Sequence, residues 1–85
     1  MKQFYAERLI KPRSIREIVN LALRHFAHAV IIVHNRPGAE TKPSRPDIEV
    51  TKDIKKALAV MGIALHDHLI VAGTSCVSFK SLGHL

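Results

Sequence analysis

The sequence predicts an α/β domain in which a mixed β-sheet is flanked by two helices. Three observations predict this fold class: apolar residues recur at helical spacing in two segments, β-branched runs follow each of them, and turn residues separate the elements. The predicted order is strand, helix, strand, helix, strand, strand, an alternation typical of helices that cross over a sheet. Because the chain has 85 residues, we expect residues 1–85 to form a single domain.

The first helix is predicted to begin at Ser14. Ser14 and Glu17 have the spacing of a capping box, in which each side chain binds the backbone amide of the other residue. The run at residues 29–33 is continuous and β-branched, which predicts a strand that is buried on both faces of the sheet. Apolar residues at steps of three and four are expected to face the core from the helix: Ile15, Ile18, Val19, Ala22, Phe26 and Ala29.

The second helix is predicted to begin at Ser44, which repeats the capping-box spacing with Asp47, and to run to about Met61. Pro46 is tolerated there, because a first-turn amide has no partner within the helix. Gly62 stands where a left-handed C-terminal cap belongs. The expected apolar stripe consists of Val50, Ile54, Ala57, Leu58 and Met61, whereas Lys52, Lys55 and Lys56 are expected to face water.

A β-hairpin is predicted to follow, with strands at residues 63–71 and 76–79 and a turn at residues 73–75. Strand alternation places His66 and His68 on one face, which raises the hypothesis of a second metal site. The interpretation we favour is structural, with Asp67 and His68 hydrogen-bonded within the fold. Cys76 is interpreted as a small core residue.

Composition narrows the classes of function. The formal net charge is +6, and residues 1–45 hold nine basic and three acidic residues. This basic half could meet nucleic acid phosphates or an acidic protein, although a solvated face explains it as well. We expect no membrane span and no leader sequence, and one cysteine fits a reducing, cytoplasmic location. The basic patch that could contact phosphates or an acidic protein would consist of Lys2, Arg8, Lys11, Arg13, Arg16 and Arg24.

The most informative stretch reads His-Asn-Arg-Pro, then six residues, then Ser-Arg-Pro-Asp. It places the imidazole of His34 just past a strand and the carboxylate of Asp47 in the first turn of a helix. Ligands collect at strand ends of open α/β sheets. A catalytic zinc needs about three protein ligands and an open position, so this stretch supplies two of them.

This chain resembles the RadC family, a bacterial branch of the JAMM (MPN+) metalloprotease fold, whose pattern is His-x-His-Pro, six residues, Ser-x-x-Asp. The likeness continues at residues 62–63, 67–71 and 77–79. The resemblance implies part of a three-layer, cytidine-deaminase-like architecture, a zinc ion held by His34 and Asp47, and an oxyanion role for Ser44. It also implies a link to DNA repair. Helix capping explains Ser44 and Asp47 at least as well, and we place that role first.

Arg36 departs from the family pattern, because it stands where the family has its second zinc-ligand histidine. A guanidinium stays protonated and cannot bind a metal, so we expect zinc binding to be absent or weak. We predict that Arg36 pairs with Asp47 in place of the metal. The resemblance places the family's general acid/base glutamate on an early strand upstream of the first helix. We expect this chain to lack the N-terminal strands and with them that glutamate, and Glu7, the only acid before the helix, does not align with it convincingly.

These observations favour a degenerate JAMM domain that acts through protein contacts without hydrolysis. An unpaired sheet edge would recruit a second copy of the chain or a fuller partner. A zinc-dependent peptidase or isopeptidase remains open, with a third ligand such as Glu40 beside His34 and Asp47. A basic module that binds DNA through the N-terminal half is the second alternative.

Overall fold

The computed structural model describes residues 4–9, 15–36 and 41–85, and it describes residues 4–9 by their backbone alone. The predicted order of elements is confirmed. The elements are β1 (Phe4–Leu9), α1 (Ile15–Arg24), β2 (Ala29–Asn35), α2 (Arg45–Val60), β3 (Ala64–Ala72) and β4 (Ser75–Ser78). The predicted cap at Ser14 and the side chains of Glu7 and Glu40 lie outside the described residues.

The four strands form one mixed sheet in the order β1-β2-β3-β4. The first three strands are parallel, and β4 returns antiparallel to β3. The two helices contact each other and share one core with β2 and β3, so both lie on the same face of the sheet. That core consists of Ile18, Ala22, Ala27, Val30, Ile32, Ile54, Leu58, Ile63 and Leu65.

The prediction that β2 is buried on both faces is wrong. Val30 and Ile32 are fully buried, whereas Ile31 and Val33, which alternate with them, are only half-buried. The reason is that both helices cover the side of Val30 and Ile32. The β-branched run therefore predicted the strand correctly, but it wrongly predicted full burial of the strand's second face.

Both helices end with the same hydrogen-bond pattern, and this corrects the predicted position of Phe26. Phe26 adopts a positive φ of 52°, and the next amide, of Ala27, donates to the carbonyl of Ala22 at 2.9 Å. This Schellman closure turns Phe26 outward, where it is 80% exposed, and buries Ala27 in its place. At the end of α2, Gly62 has the predicted left-handed conformation, and Met61 is exposed rather than part of the apolar stripe.

A β-bulge at His66 corrects the predicted alternation along β3. Val30 of β2 lies opposite Leu65 and Ile31 lies opposite Asp67, so His66 is the extra residue. Past the bulge the side chains exchange faces, and His68 is buried while His66 is exposed. The two histidines therefore do not share a face. Cys76 is also exposed, because β4 lies at the edge of the sheet rather than in its core.

Within the described residues, neither helix is both long and apolar enough to cross a bilayer.

Candidate functional site

The residues of the candidate site meet at the carboxyl ends of β2 and β3. His34 is the penultimate residue of β2, and the backbone amide of Arg36 donates to the carbonyl of Val71 at 2.9 Å. This bond prolongs the pairing of the two strands and fixes the start of the loop. Asp47 lies in the first turn of α2, above the same end of the sheet. The crossover thus brings together the imidazole and the carboxylate that the sequence singled out.

Arg36 and Asp47 form an ion pair, as predicted. Nη2 of Arg36 donates to Oδ2 of Asp47, and Nη1 donates to the carbonyl of Lys42 at 2.9 Å. The side chains of Arg36 and Asp47 are only 20% and 14% exposed, so water screens this pair less than a surface salt bridge. The guanidinium therefore ties the end of β2 to both the loop and the start of α2.

Ser44 and Asp47 cap α2 reciprocally. The amide of Ser44 donates to Oδ2 of Asp47 at 2.9 Å, and the amide of Asp47 donates to Oγ of Ser44 at 3.2 Å. Burial alone would raise the pKa of Asp47, but hydrogen bonds from Ser44 and from Arg36 outweigh it and lower the pKa. Asp47 is therefore an ionised acceptor for two donors on one oxygen.

A second imidazole, His68, lies beneath this ion pair and is 4% exposed. The hydroxyl of Thr51 donates to the carbonyl of Asp47 at 2.7 Å and lies 2.8 Å from Nδ1 of His68. Since a hydroxyl has one proton and Thr51 gives it to the carbonyl, Nδ1 must be the donor to Thr51. Nε2 is then an unprotonated acceptor, and it has no hydrogen-bond partner.

Burial sets the charge state of both imidazoles. It lowers the pKa of His68 to about 4, and nearby His34 contributes in the same direction. Burial also lowers the pKa of His34, with Asp47 opposing and Arg36 reinforcing this shift. Both rings are therefore neutral near pH 7.

Aromatic stacking holds His68 in place. Its ring centroid is 4.3 Å from that of Phe79, with 15° between the planes, and 5.8 Å from that of His34. Asp67 supports this arrangement by accepting hydrogen bonds from the amide of His68 and from the hydroxyl of Ser78. The structural interpretation of Asp67 and His68 is thus confirmed.

Sequence reasoning missed Thr51 as a member of this cluster. Thr51 is fully buried and lies one helical turn after Asp47, so the two residues share a face of α2. A polar residue in the middle of the apolar stripe of a helix was the available signal. Its partner His68 could not be identified without the bulge in β3.

The donor atoms around Asp47 differ from those of the zinc site that the resemblance implies. His34 and Asp47 are near each other, but Oδ2 of Asp47 is already bound to a guanidinium and to an amide. Among residues 15–36 and 41–85, no group of three or more His, Cys, Asp or Glu side chains could hold a metal ion. The described residues therefore do not fit a catalytic zinc site with three protein ligands.

Of the predicted basic patch, Arg16 and Arg24 are exposed on α1. The other four members fall outside the part of the chain whose side chains are described. The patch as a whole therefore stays a prediction.

Comparison with known proteins gives one family. The family model described as RadC-like JAB domain matches residues 10–84. A UPF0758 protein of Bordetella pertussis is 50% identical over 70 residues, which cover 82% of this chain and 31% of that protein. A UPF0758 protein of Streptococcus gordonii is 49% identical over 65 residues, covering 76% of this chain and 29% of the relative. The chain thus spans about a third of the length of the relatives it matches.

Proposed function

Because the chain belongs to the RadC-like JAB domain family, we propose that it is a member without hydrolytic activity that works through protein contacts. In this proposal the ion pair between Arg36 and Asp47 occupies the position that the resemblance assigns to zinc. His34, Ser44 and Asp47 then keep the architecture of the site and supply no chemistry.

The observation that carries the proposal is the guanidinium bound to Oδ2 of Asp47. A metal ion at Asp47 would have to displace this cation or share a carboxylate with it. Arg36 cannot bind the metal in place of a histidine, since a guanidinium has only N–H donors and no acceptor. Zinc binding is therefore opposed by both charge and geometry.

The proposed protein contacts are based on an edge of the sheet. In the described sheet, β4 is an edge strand, and residues 75–78 contain neither a lysine nor a proline that would block pairing. Cys76 at this edge is exposed. We propose that this edge binds a second copy of the chain or a fuller relative. Light scattering at high protein concentration tests the homo-oligomer, and a monodisperse monomer would exclude it.

The metal content of purified protein tests the central claim. We expect substoichiometric zinc in the native chain and a clear gain in Arg36→His, in which an imidazole replaces the guanidinium. Arg36→Gln is the matched control, because it removes the same charge without adding a ligand. A gain of zinc in Arg36→His alone would show that the native chain lacks a third ligand. An equal gain of zinc in Arg36→His and Arg36→Gln would show that the charge of Arg36 opposes binding.

The enzyme alternative makes the opposite prediction. Stoichiometric zinc in the native chain, lost in both His34→Ala and Asp47→Ala, would refute our proposal. Chelator-sensitive cleavage of a peptide or isopeptide bond by the same preparation would establish the alternative. The link to DNA repair remains a prediction, which the salt dependence of DNA affinity would address.

A further inference from the structure

A groove separates the second half of α2 from the C-terminal residues 83–85. Its volume is about 510 Å³, within the range of roughly 300–1,000 Å³ typical of small-molecule sites. Three lysines, Lys52, Lys55 and Lys56, line the helical wall together with Ala59. The proposed function uses none of these residues.

The opposite wall of the groove is ordered by backbone hydrogen bonds. The amide of His84 donates to the carbonyl of Phe79 at 2.9 Å, and the amide of Gly83 donates to that of Lys80 at 3.1 Å. The ring of His84 meets Phe79 edge to face, and Leu85 packs against the core. The groove is therefore held between two fixed walls.

The described residues that line the groove carry an excess of positive charge, because three lysines face only the terminal carboxylate of Leu85. No acidic side chain lines it, and none of the three lysines forms a salt bridge with a carboxylate of the described residues. Lys52 and Lys56 are four residues apart, which is about 6 Å along the helix axis. Three flexible ammonium groups this close together can converge on a single ligand group.

From this placement we propose that the groove binds a small organic phosphate of mononucleotide size. A phosphoryl group concentrates about two negative charges on one centre, which suits three convergent ammonium groups better than the separate unit charges of an acidic peptide. Ala59, Leu85 and the lysine stems offer apolar surface for the rest of the ligand.

The test is a calorimetric titration of the full chain with AMP at low ionic strength. The triple variant K52Q/K55Q/K56Q should bind AMP about tenfold more weakly than the native chain, since each exposed charge contributes modestly. The matched control is R16Q/K42Q/K80Q, which loses the same net charge at exposed positions outside the groove. We expect this control to retain AMP affinity within about twofold.

Four outcomes would overturn the proposal. The native chain could fail to bind AMP, or adenosine could bind as tightly as AMP, which would remove the role of the phosphoryl group. Equal weakening in both triple variants would show a response to net charge alone. Tight binding of an oligothymidylate that both triple variants weaken would indicate a diffuse nucleic-acid surface instead. None of these results depends on zinc content, so they are separable from the proposed function.

Discussion

The hydroxyl of Thr51 joins the first turn of α2 to His68 in β3, and its removal is the sharpest test of the buried cluster. Thr51→Val preserves the shape of the side chain and removes only its hydrogen-bonding capacity. Nδ1–H of His68 would then be buried without an acceptor, next to an Nε2 that already has no partner. We expect the variant to fold with reduced stability.

The size of the effect follows from the groups left unpaired. A buried donor without a partner costs about 1–3 kcal/mol, and this is the main contribution. Loss of the bond from Thr51 to the carbonyl of Asp47 adds little, because that carbonyl lies within the helical ladder of α2. The free energy of unfolding should therefore fall by about 1–3 kcal/mol.

This loss of stability is measured by urea unfolding of four chains: native, Thr51→Val, His68→Leu and the double variant. Because an apolar pair leaves nothing unsatisfied, the double variant should be less destabilised than the sum of the two single variants, by about 1 kcal/mol or more. Thr51→Ser is the control, since it keeps the hydroxyl. The reasoning would be refuted if Thr51→Val unfolded at the native midpoint, or if the two single effects added without coupling.

Three further predictions concern acid stability and the C-terminal ends of the two helices. Burial lowers the pKa of His68 from 6.5 to about 4. The stability that neutral His68 contributes to the folded state is therefore complete above pH 6.5, and it is lost as the pH falls toward 4, because the unfolded chain binds the proton first. The loss should reach at most about 3 kcal/mol in urea titrations across this window, and a His68→Leu chain that lost stability equally would contradict the assignment. Phe26→Gly should raise the free energy of unfolding by about 1 kcal/mol, because glycine adopts the positive φ of 52° without strain and the lost ring is 80% exposed. Gly62→Ala in the same position of α2 should lower it, and thermal unfolding that showed no change in Phe26→Gly would argue against strain at this position.

Local sequence signals located the start of α2 and its end. Ser44 and Asp47 could be paired from their spacing alone, because both halves of a capping box lie within one turn. Gly62 was equally visible, since few other residues adopt its conformation at low cost. The pairing of Arg36 with Asp47 was predicted from the resemblance, which puts a guanidinium where the family has a zinc ligand beside that carboxylate.

Features that depend on neighbouring strands were not visible in the sequence. The bulge at His66 arises from the register between β2 and β3, and the residue types at that point do not predict a bulge. It alone decides that His68 faces α2, so the cluster with Thr51 could not be predicted. The exposure of Phe26 was not predictable for a different reason. A large hydrophobic residue stands at the left-handed position after α1, which usually favours glycine.

The spacing from His34 to Asp47, on which the resemblance rests, has a structural explanation that does not require catalysis. Asp47 accepts the amide of Ser44, holds the guanidinium of Arg36 and presents its carbonyl to Thr51. Loss of Asp47 would uncap α2, leave a half-buried arginine without its counter-ion and loosen the contact with β3. These contacts explain serine and aspartate at this spacing through folding alone, because Arg36 takes the carboxylate of Asp47 as its counter-ion. Changes at residue 36 therefore separate a role of this segment in folding from a role in metal binding, because Arg36→Gln removes the counter-ion of Asp47 without adding a metal ligand, whereas Arg36→His adds one.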